Sequence, residues 1–167
     1  MGLKEIDIKD FSVKPFSLIG DEWMLITSGD EKGYNTMTAS WGGVGVLWNK
    51  NVAFSFIRPQ RYTFEFVEKN EYYTLSFYPD NMKQALTLCG RKSGRDCNKV
   101  KEAGLSPIFN EKAPYFEGAK LVLICKKLYN QFFTPECFVE KELEINYPNK
   151  DYHKMYIGEI VKALINE

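Results

Sequence analysis

Two runs of alternating side chains, WMLITS and YNTMTAS, meet across GDEKG within residues 23–41. Period-two alternation suits a pleated strand, and a polar run bounded by glycines suits a reversal, so the segment reads as strand, turn (29–33) and strand. This hairpin commits the chain to a β plan. Its second strand is unusual: YNTMTASWGG carries small and hydroxyl side chains instead of Val, Ile and Leu, then meets a tryptophan and two glycines. Thr38, Ala39 and Ser40 are small enough to leave main-chain N–H and C=O groups open to a flat ligand. Trp41 reads as core packing or as a planar contact for that ligand, and Asn35 as a turn residue or a ligand contact.

Further along, residues 52–57 form a strand with Val52, Phe54 and Phe56 on one face and the small Ala53 and Ser55 on the other. Arg58-Pro59 ends it, and Tyr62–Lys69 follows as a short helix. EYYTLSFYP is a strand. Asp80 or Asn81 caps a helix whose apolar face is Met82, Ala85, Leu86 and Cys89, with Gly90 as its terminator. Asp96 opens a second short helix that Gly104 closes, and 105–117 is a loop broken by Pro107 and Pro114. Residues 119–129, 138–145 and 154–161 are the remaining strand candidates, with a turn at 130–135. Six or seven strands against three short helices, without strict alternation, favour one β-barrel-like domain over 1–167 rather than a parallel α/β sheet.

The chain is 44% hydrophobic over 167 residues, enough for one sizeable core. Basic and acidic residues balance at 22 each, which argues against nucleic acid as a partner. The N-terminus is polar and no apolar run approaches the ~18 residues of a membrane span, so a soluble, cytoplasmic protein is expected. Four cysteines without CxxC spacing and a single histidine give no metal-site pattern, and the thiols read as buried or incidental in a reducing compartment.

Of the 22 basic residues only four are arginine, and they fall in two pairs, Arg58/Arg61 and Arg91/Arg95. A planar guanidinium fork suits phosphate or carboxylate, although structural ion pairs would also cluster arginines. Arg58 and Arg61 straddle Pro59 where strand gives way to helix, so helix N–H groups should lie beside them, with Ser55 and Thr63 nearby. GRKSGRD offers a second wall for the same anion. It lacks the order of a phosphate-binding Walker loop, and Gly42-Gly43-x-Gly45 lacks the third glycine of a dinucleotide fingerprint.

YNTMTASW, SFIRPQRYT, CGRKSGRDCNKVKEAGL and DYHKMYIGEI occur in that order, and together they resemble the flavin reductase-like family of FMN-binding split barrels, which includes flavoredoxins and small reductase components of two-component monooxygenases. The resemblance implies a homodimeric Greek-key split β-barrel, mainly β with short helices, holding FMN near the dimer interface. It places Asn35, Thr38, Ala39, Ser40 and Trp41 along the flavin ring and ribityl chain. It places Ser55, Arg58, Arg61 and Thr63 at the phosphate, and Lys92, Ser93 and Gly94 on a loop reaching the flavin. His153 matches the histidine of an Asp-His pair and is the catalytic candidate, with Tyr152 where the family has Asp; read without the resemblance it is a structural histidine. NADH or NADPH would serve as transient electron donor, and free flavin or a redox protein as acceptor. No catalytic triad or carboxylate pair is evident, and hydride transfer requires none. The alternatives are a flavin carrier or sensor without turnover, and a barrel binding oligonucleotides through EYYTLSFY, which the zero net charge opposes.

Overall fold

A computed structural model describes residues 2–166. Two long strands, β9 (Leu121–Phe132) and β10 (Lys154–Ile165), pair antiparallel along almost their whole length and form the spine of the sheet. β6 (Tyr72–Phe77), β2 (Met24–Asp30) and β3 (Gly33–Ala39) continue outward from β9. β5 (Lys50–Ile57) and β4 (Gly42–Leu47) continue from the first half of β10, and β1 (Lys4–Ile6) pairs with its last residues. The order is therefore β3-β2-β6-β9-β10-β5-β4, with Greek-key crossovers wherever neighbours are not consecutive. The terminal strands β3 and β4 are joined by only Ser40 and Trp41, so the sheet coils back toward itself as a split barrel. Register shifts between Ile157 and Gly158, and between Ile160 and Lys162, add the local twist that coiling demands.

Alternation assigns side chains to two cores. Met24, Ile26, Met37, Tyr73, Leu75, Phe77, Leu121, Leu123 and Tyr156 fill the barrel. Leu25, Val122 and Ile124 point outward and are covered by Ala85, Leu86 and Cys89 of the helix Lys83–Arg91, with Tyr115 and Phe116 beside them. Burial on both faces explains why MLI and LVLIC read as continuous apolar runs. The helices are α1 (Pro15–Ser17), α2 (Tyr62–Lys69), α3 (Lys83–Arg91) and α4 (Lys99–Glu102); α2 sends Val67 into the barrel core. Among the described residues no helix is long and apolar enough to cross a membrane.

Several sequence expectations change. Residues 138–145 form no strand: Pro135–Cys137 and Lys141–Asn146 are 3-10 turns, Ile145 is exposed, and Phe138 packs on Phe133, Tyr147 and Tyr152 rather than on a ladder partner. β9 runs on to Phe132 through the first half of the expected 130–135 turn, because β10 supplies partners as far as Lys154. Gly42–Leu47 is a strand, despite its glycines, because it pairs with β5 across the Trp48-Asn49 turn. Short strands β7 (Pro107–Ile108) and β8 (Tyr115–Phe116) pair within the expected loop. Asn98, not Asp96, caps α4, its Oδ1 accepting from Lys101 N at 3.1 Å. α3 is led in by the 3-10 turn Asp80–Met82 and has no side-chain cap. In β5 the small face is the one turned inward: Ala53, Ser55 and Ile57 are buried while Phe54 and Phe56 are half-exposed, since Tyr73 and Tyr156 already fill the space opposite.

Candidate functional site

The C-terminal end of α3 presents backbone carbonyls, and two cations converge on them. Arg61 precedes α2, and its Nη1 donates to Gly90 O at 2.9 Å while Nη2 reaches Cys89 O at 3.5 Å. Lys99 begins α4 and donates from Nζ to Cys89 O and Lys92 O, each at 3.3 Å. Helix C-terminal carbonyls carry partial negative charge, which accounts for the attraction but neutralises only part of it. Lys99 is only 3% exposed, and neither cation has a carboxylate partner among the described residues. Burial pushes the Lys99 ammonium down to about 8, Cys89 opposing and Arg61 adding to the shift. Burial, then the charge of Arg58, lowers Arg61. One buried and one half-buried positive charge, held only by carbonyls, form an electrostatic arrangement that an added anion would stabilise.

Lys99 lines a cleft of about 460 Å³ together with Tyr34, Asn35, Tyr62, Phe66 and Gly94, among others, and Arg61 adjoins its Tyr62 wall in sequence. Asn35 is buried in it and donates from Nδ2 to Thr63 Oγ1 at 2.8 Å. A Cβ on Gly94 would collide with Asn35 Oδ1, so glycine is what lets the 93–98 loop cross β3 here. Arg95 lies 4.8 Å over the Tyr62 ring and pairs with Glu65, which holds the same loop against α2.

At the other end of β3, Trp41 is 50% exposed and its ring centre lies 5.4 Å from that of His153. His153 immediately precedes β10, is 8% exposed, and also meets Phe56 and Phe133. Its Nδ1 lies 2.7 Å from Tyr147 Oη. Burial, then the nearby charge of Arg58, lowers its pKa to about 4, so the imidazole is neutral at pH 7. Arg58 belongs to this end: Nη1 pairs with Asp151 Oδ2 at 2.7 Å, Nη2 donates to Asn146 O at 2.8 Å, and the guanidinium stacks 5.0 Å over Tyr147.

The expected phosphate set therefore separates. Arg61 and Thr63 stay with Asn35 and Gly94, whereas Arg58 is consumed by Asp151 and Tyr147. Ser55 is fully buried inside the barrel beside Tyr73, on the inward face of β5, and its hydroxyl is enclosed there. The Thr38 hydroxyl donates to Leu86 O on α3 and is likewise spent. Ala39 packs on the barrel core and Ser40 is half-buried before Trp41. Ser93 Oγ accepts from Arg95 N at 3.2 Å, and Lys92 pairs with Glu102 at the surface. Lys99, Tyr62 and Tyr147 were missed in the sequence. One lysine among many has no signature until its burial is known, and Tyr147 lies just beyond the 138–145 stretch misread as a strand.

The profile of the family described as "Flavin reductase like domain" matches residues 16–167. The chain belongs to this family. The fold is shared by solved members: an FMN-binding domain of a flavin reductase-like enzyme from Shewanella baltica, 18% identical, covers 98% of this chain and 77% of its own with a TM-score of 0.69. A flavoredoxin from Methanosarcina acetivorans, 20% identical, covers 98% and 76% with a TM-score of 0.69. An NADH:FAD oxidoreductase from Streptomyces globisporus, solved with NAD and FAD fragments, is 14% identical and covers 87% and 74% with a TM-score of 0.63. No curated protein sequence matches this flavin reductase-like chain.

Proposed function

We propose that the chain binds FMN and acts as an oxidoreductase, passing electrons from NADH, NADPH or a redox protein through the flavin. The observation that carries this reading is buried Lys99, which lines a ligand-sized cleft, with half-buried Arg61 sharing the Cys89 carbonyl and neither cation meeting a carboxylate among the described residues. The residues present fit a flavin mononucleotide: cations for a dianionic phosphate, Asn35 and the Gly94 loop for the polar chain, and Trp41 for the ring. The five strand residues from Asn35 to Ala39, with Ser40 and Trp41 following them, extend over at most about 20 Å, room for an extended mononucleotide laid along β3.

When bound, the flavin supplies hydride acceptance, so the protein needs neither a nucleophile nor a strong acid. Arg61 and Lys99 anchor the phosphate, and that anchoring lends binding energy to orienting the ring. Trp41 gives a flat apolar border to the redox end. His153, neutral at pH 7, offers a hydrogen bond there and no proton charge. The reading includes a homodimer: β4 is a sheet edge with Val46 73% exposed, and beyond it Trp48 leans on Tyr129 at 6.4 Å, an apolar rim suited to a second copy.

The test is to titrate the protein with FMN and with riboflavin, following quenching of flavin fluorescence. FMN should bind at micromolar concentration or below, and riboflavin at least about tenfold more weakly, since a charge-assisted phosphate contact contributes ~1.5–3 kcal/mol. Equal affinity for the two would remove the phosphate role from Arg61 and Lys99.

A further inference from the structure

His153 is the only histidine in the chain, and the residue before it is tyrosine rather than an acid. The nearest acid, Asp151, is bound to Arg58 and is not within hydrogen-bond reach of the imidazole. The ring is instead met at Nδ1 by Tyr147 Oη at 2.7 Å. Tyr147 is buried, and its hydroxyl has no other hydrogen-bond partner among the described residues. If Nδ1 carried the hydrogen, the phenol O–H would be left without an acceptor inside the protein, which costs more than the bond itself returns. Nε2 has no partner among the described residues and is not one of the enclosed, partnerless atoms, so it is open to solvent or ligand.

Tyr147 is also held in place more firmly than a packing tyrosine requires. Arg58 stacks on one side of it, tied down by Asp151 and by Asn146 O. The Tyr152 ring lies 5.0 Å away and is itself anchored by donation from its hydroxyl to Glu144 Oε2 at 3.0 Å. Tyr147 N closes the 3-10 turn on Glu144 O at 2.8 Å. The segment 141–152 is thus a strut whose polar end is a single phenol aimed at a single ring nitrogen.

We propose that Tyr147 is the positioning residue for His153: its phenol donates to Nδ1, keeps the ring hydrogen on Nε2, and presents Nε2–H beside Trp41 as a donor to a carbonyl or carboxamide oxygen of a planar ligand. The ligand half rests on the flavin oxidoreductase reading, in which that oxygen belongs to the carboxamide of the reduced nicotinamide. The tautomer half does not depend on it. An Nε2–H donor on an imidazole 5.4 Å from the Trp41 ring suits a ligand ring that stacks while one exocyclic oxygen is held.

Because the chain has one histidine, ¹⁵N-histidine labelling gives one pair of ring signals, readable in the flavin-free protein. The expected result at pH 7 is an unprotonated Nδ1 and a protonated Nε2. Tyr147→Phe, which keeps the ring and removes the donor, should shift the signals toward a mixture of tautomers. Tyr152→Phe, which loses only the bond to Glu144, should leave them in place. Asp151→Asn loosens the Arg58 stack without altering the phenol and should broaden the ring signals, serving as a second variant should Tyr147→Phe fold poorly. In the FMN-loaded enzyme, Tyr147→Phe should raise KM for reduced nicotinamide about three- to tenfold, with kcat changed by less than about twofold. A hydrogen on Nδ1 in the wild type, or ring signals that Tyr147→Phe leaves unmoved, overturns the proposal. A tautomer shift with no change in KM overturns the ligand half. Failure to bind FMN would sink the wider reading, and the NMR result would still decide the role of Tyr147.

Discussion

Lys99→Met separates a ligand-binding cation from a structural one, because the two roles expect opposite signs. The ammonium is 3% exposed and sits between two carbonyls at 3.3 Å, with Arg61 as a like-charged neighbour. Its pKa falls from 10.5 to about 8, so at pH 7 the folded state holds a proton that the unfolded chain would hold more easily. At 1.36 kcal/mol per pH unit the cost is ~3 kcal/mol. Met nearly conserves the stem volume, loses two long hydrogen bonds, and removes that cost. Urea denaturation of the flavin-free variant should therefore show stability unchanged or raised by about 1–2 kcal/mol. FMN affinity should move the other way, weakening about ten- to a hundredfold through loss of a charge-assisted contact. A variant that is destabilised yet binds FMN as tightly as the wild type would refute the reasoning, since Lys99 would then be an anchor for α3 and α4 and nothing more.

Gly158→Ala puts a methyl 3.0 Å from Tyr73 Cζ and Cys125 Cβ at the barrel centre, so the urea midpoint should fall by an amount equal to ~1–3 kcal/mol; an unchanged midpoint would mean the interior is looser than its packing indicates. His153 has a folded pKa of about 4 against an ordinary 6.5, so the unfolded chain takes up the proton first and stability declines as pH falls from about 6.5 toward 4. That component should be missing in His153→Gln, measured as the difference between the two proteins' denaturation curves across the window. Sedimentation equilibrium should return twice the 19.4 kDa chain mass, and Val46→Lys with Trp48→Lys should return it to one.

The strands were legible where one chemical rule decided them. The hairpin of β2 and β3, the helix α2 after Pro59, and the apolar face of α3 all follow from alternation, proline and helical spacing. Residues 138–145 misled because FVEKELEI has the hydrophobic share of a strand, and only the absence of a ladder partner and the aromatic pull on Phe138 make it a turn. Gly42–Leu47 carries no strand signal of its own, and it is partner strand β5 that compensates for its three glycines. At the site, the clustering of arginines signalled unusual roles, but chain order could not tell which carboxylate each would meet. Arg58 meets Asp151, 93 residues on, and Arg61 meets none. Lys99 was invisible for the same reason: its burial is produced by the packing of α4 on α3, not by its neighbours in sequence.

Whether this barrel holds FMN as a working redox centre is decided by how the bound flavin responds to reduced nicotinamide. Anaerobic titration of the FMN-loaded protein with NADH and with NADPH, followed through the visible flavin band, tests it most directly. Bleaching of the band by one of the two donors, with recovery on admitting air, is the expected result. A protein that retains no FMN, or one whose bound flavin stays oxidised with either donor yet also accepts no electrons from a chemically reduced carrier, would contradict it.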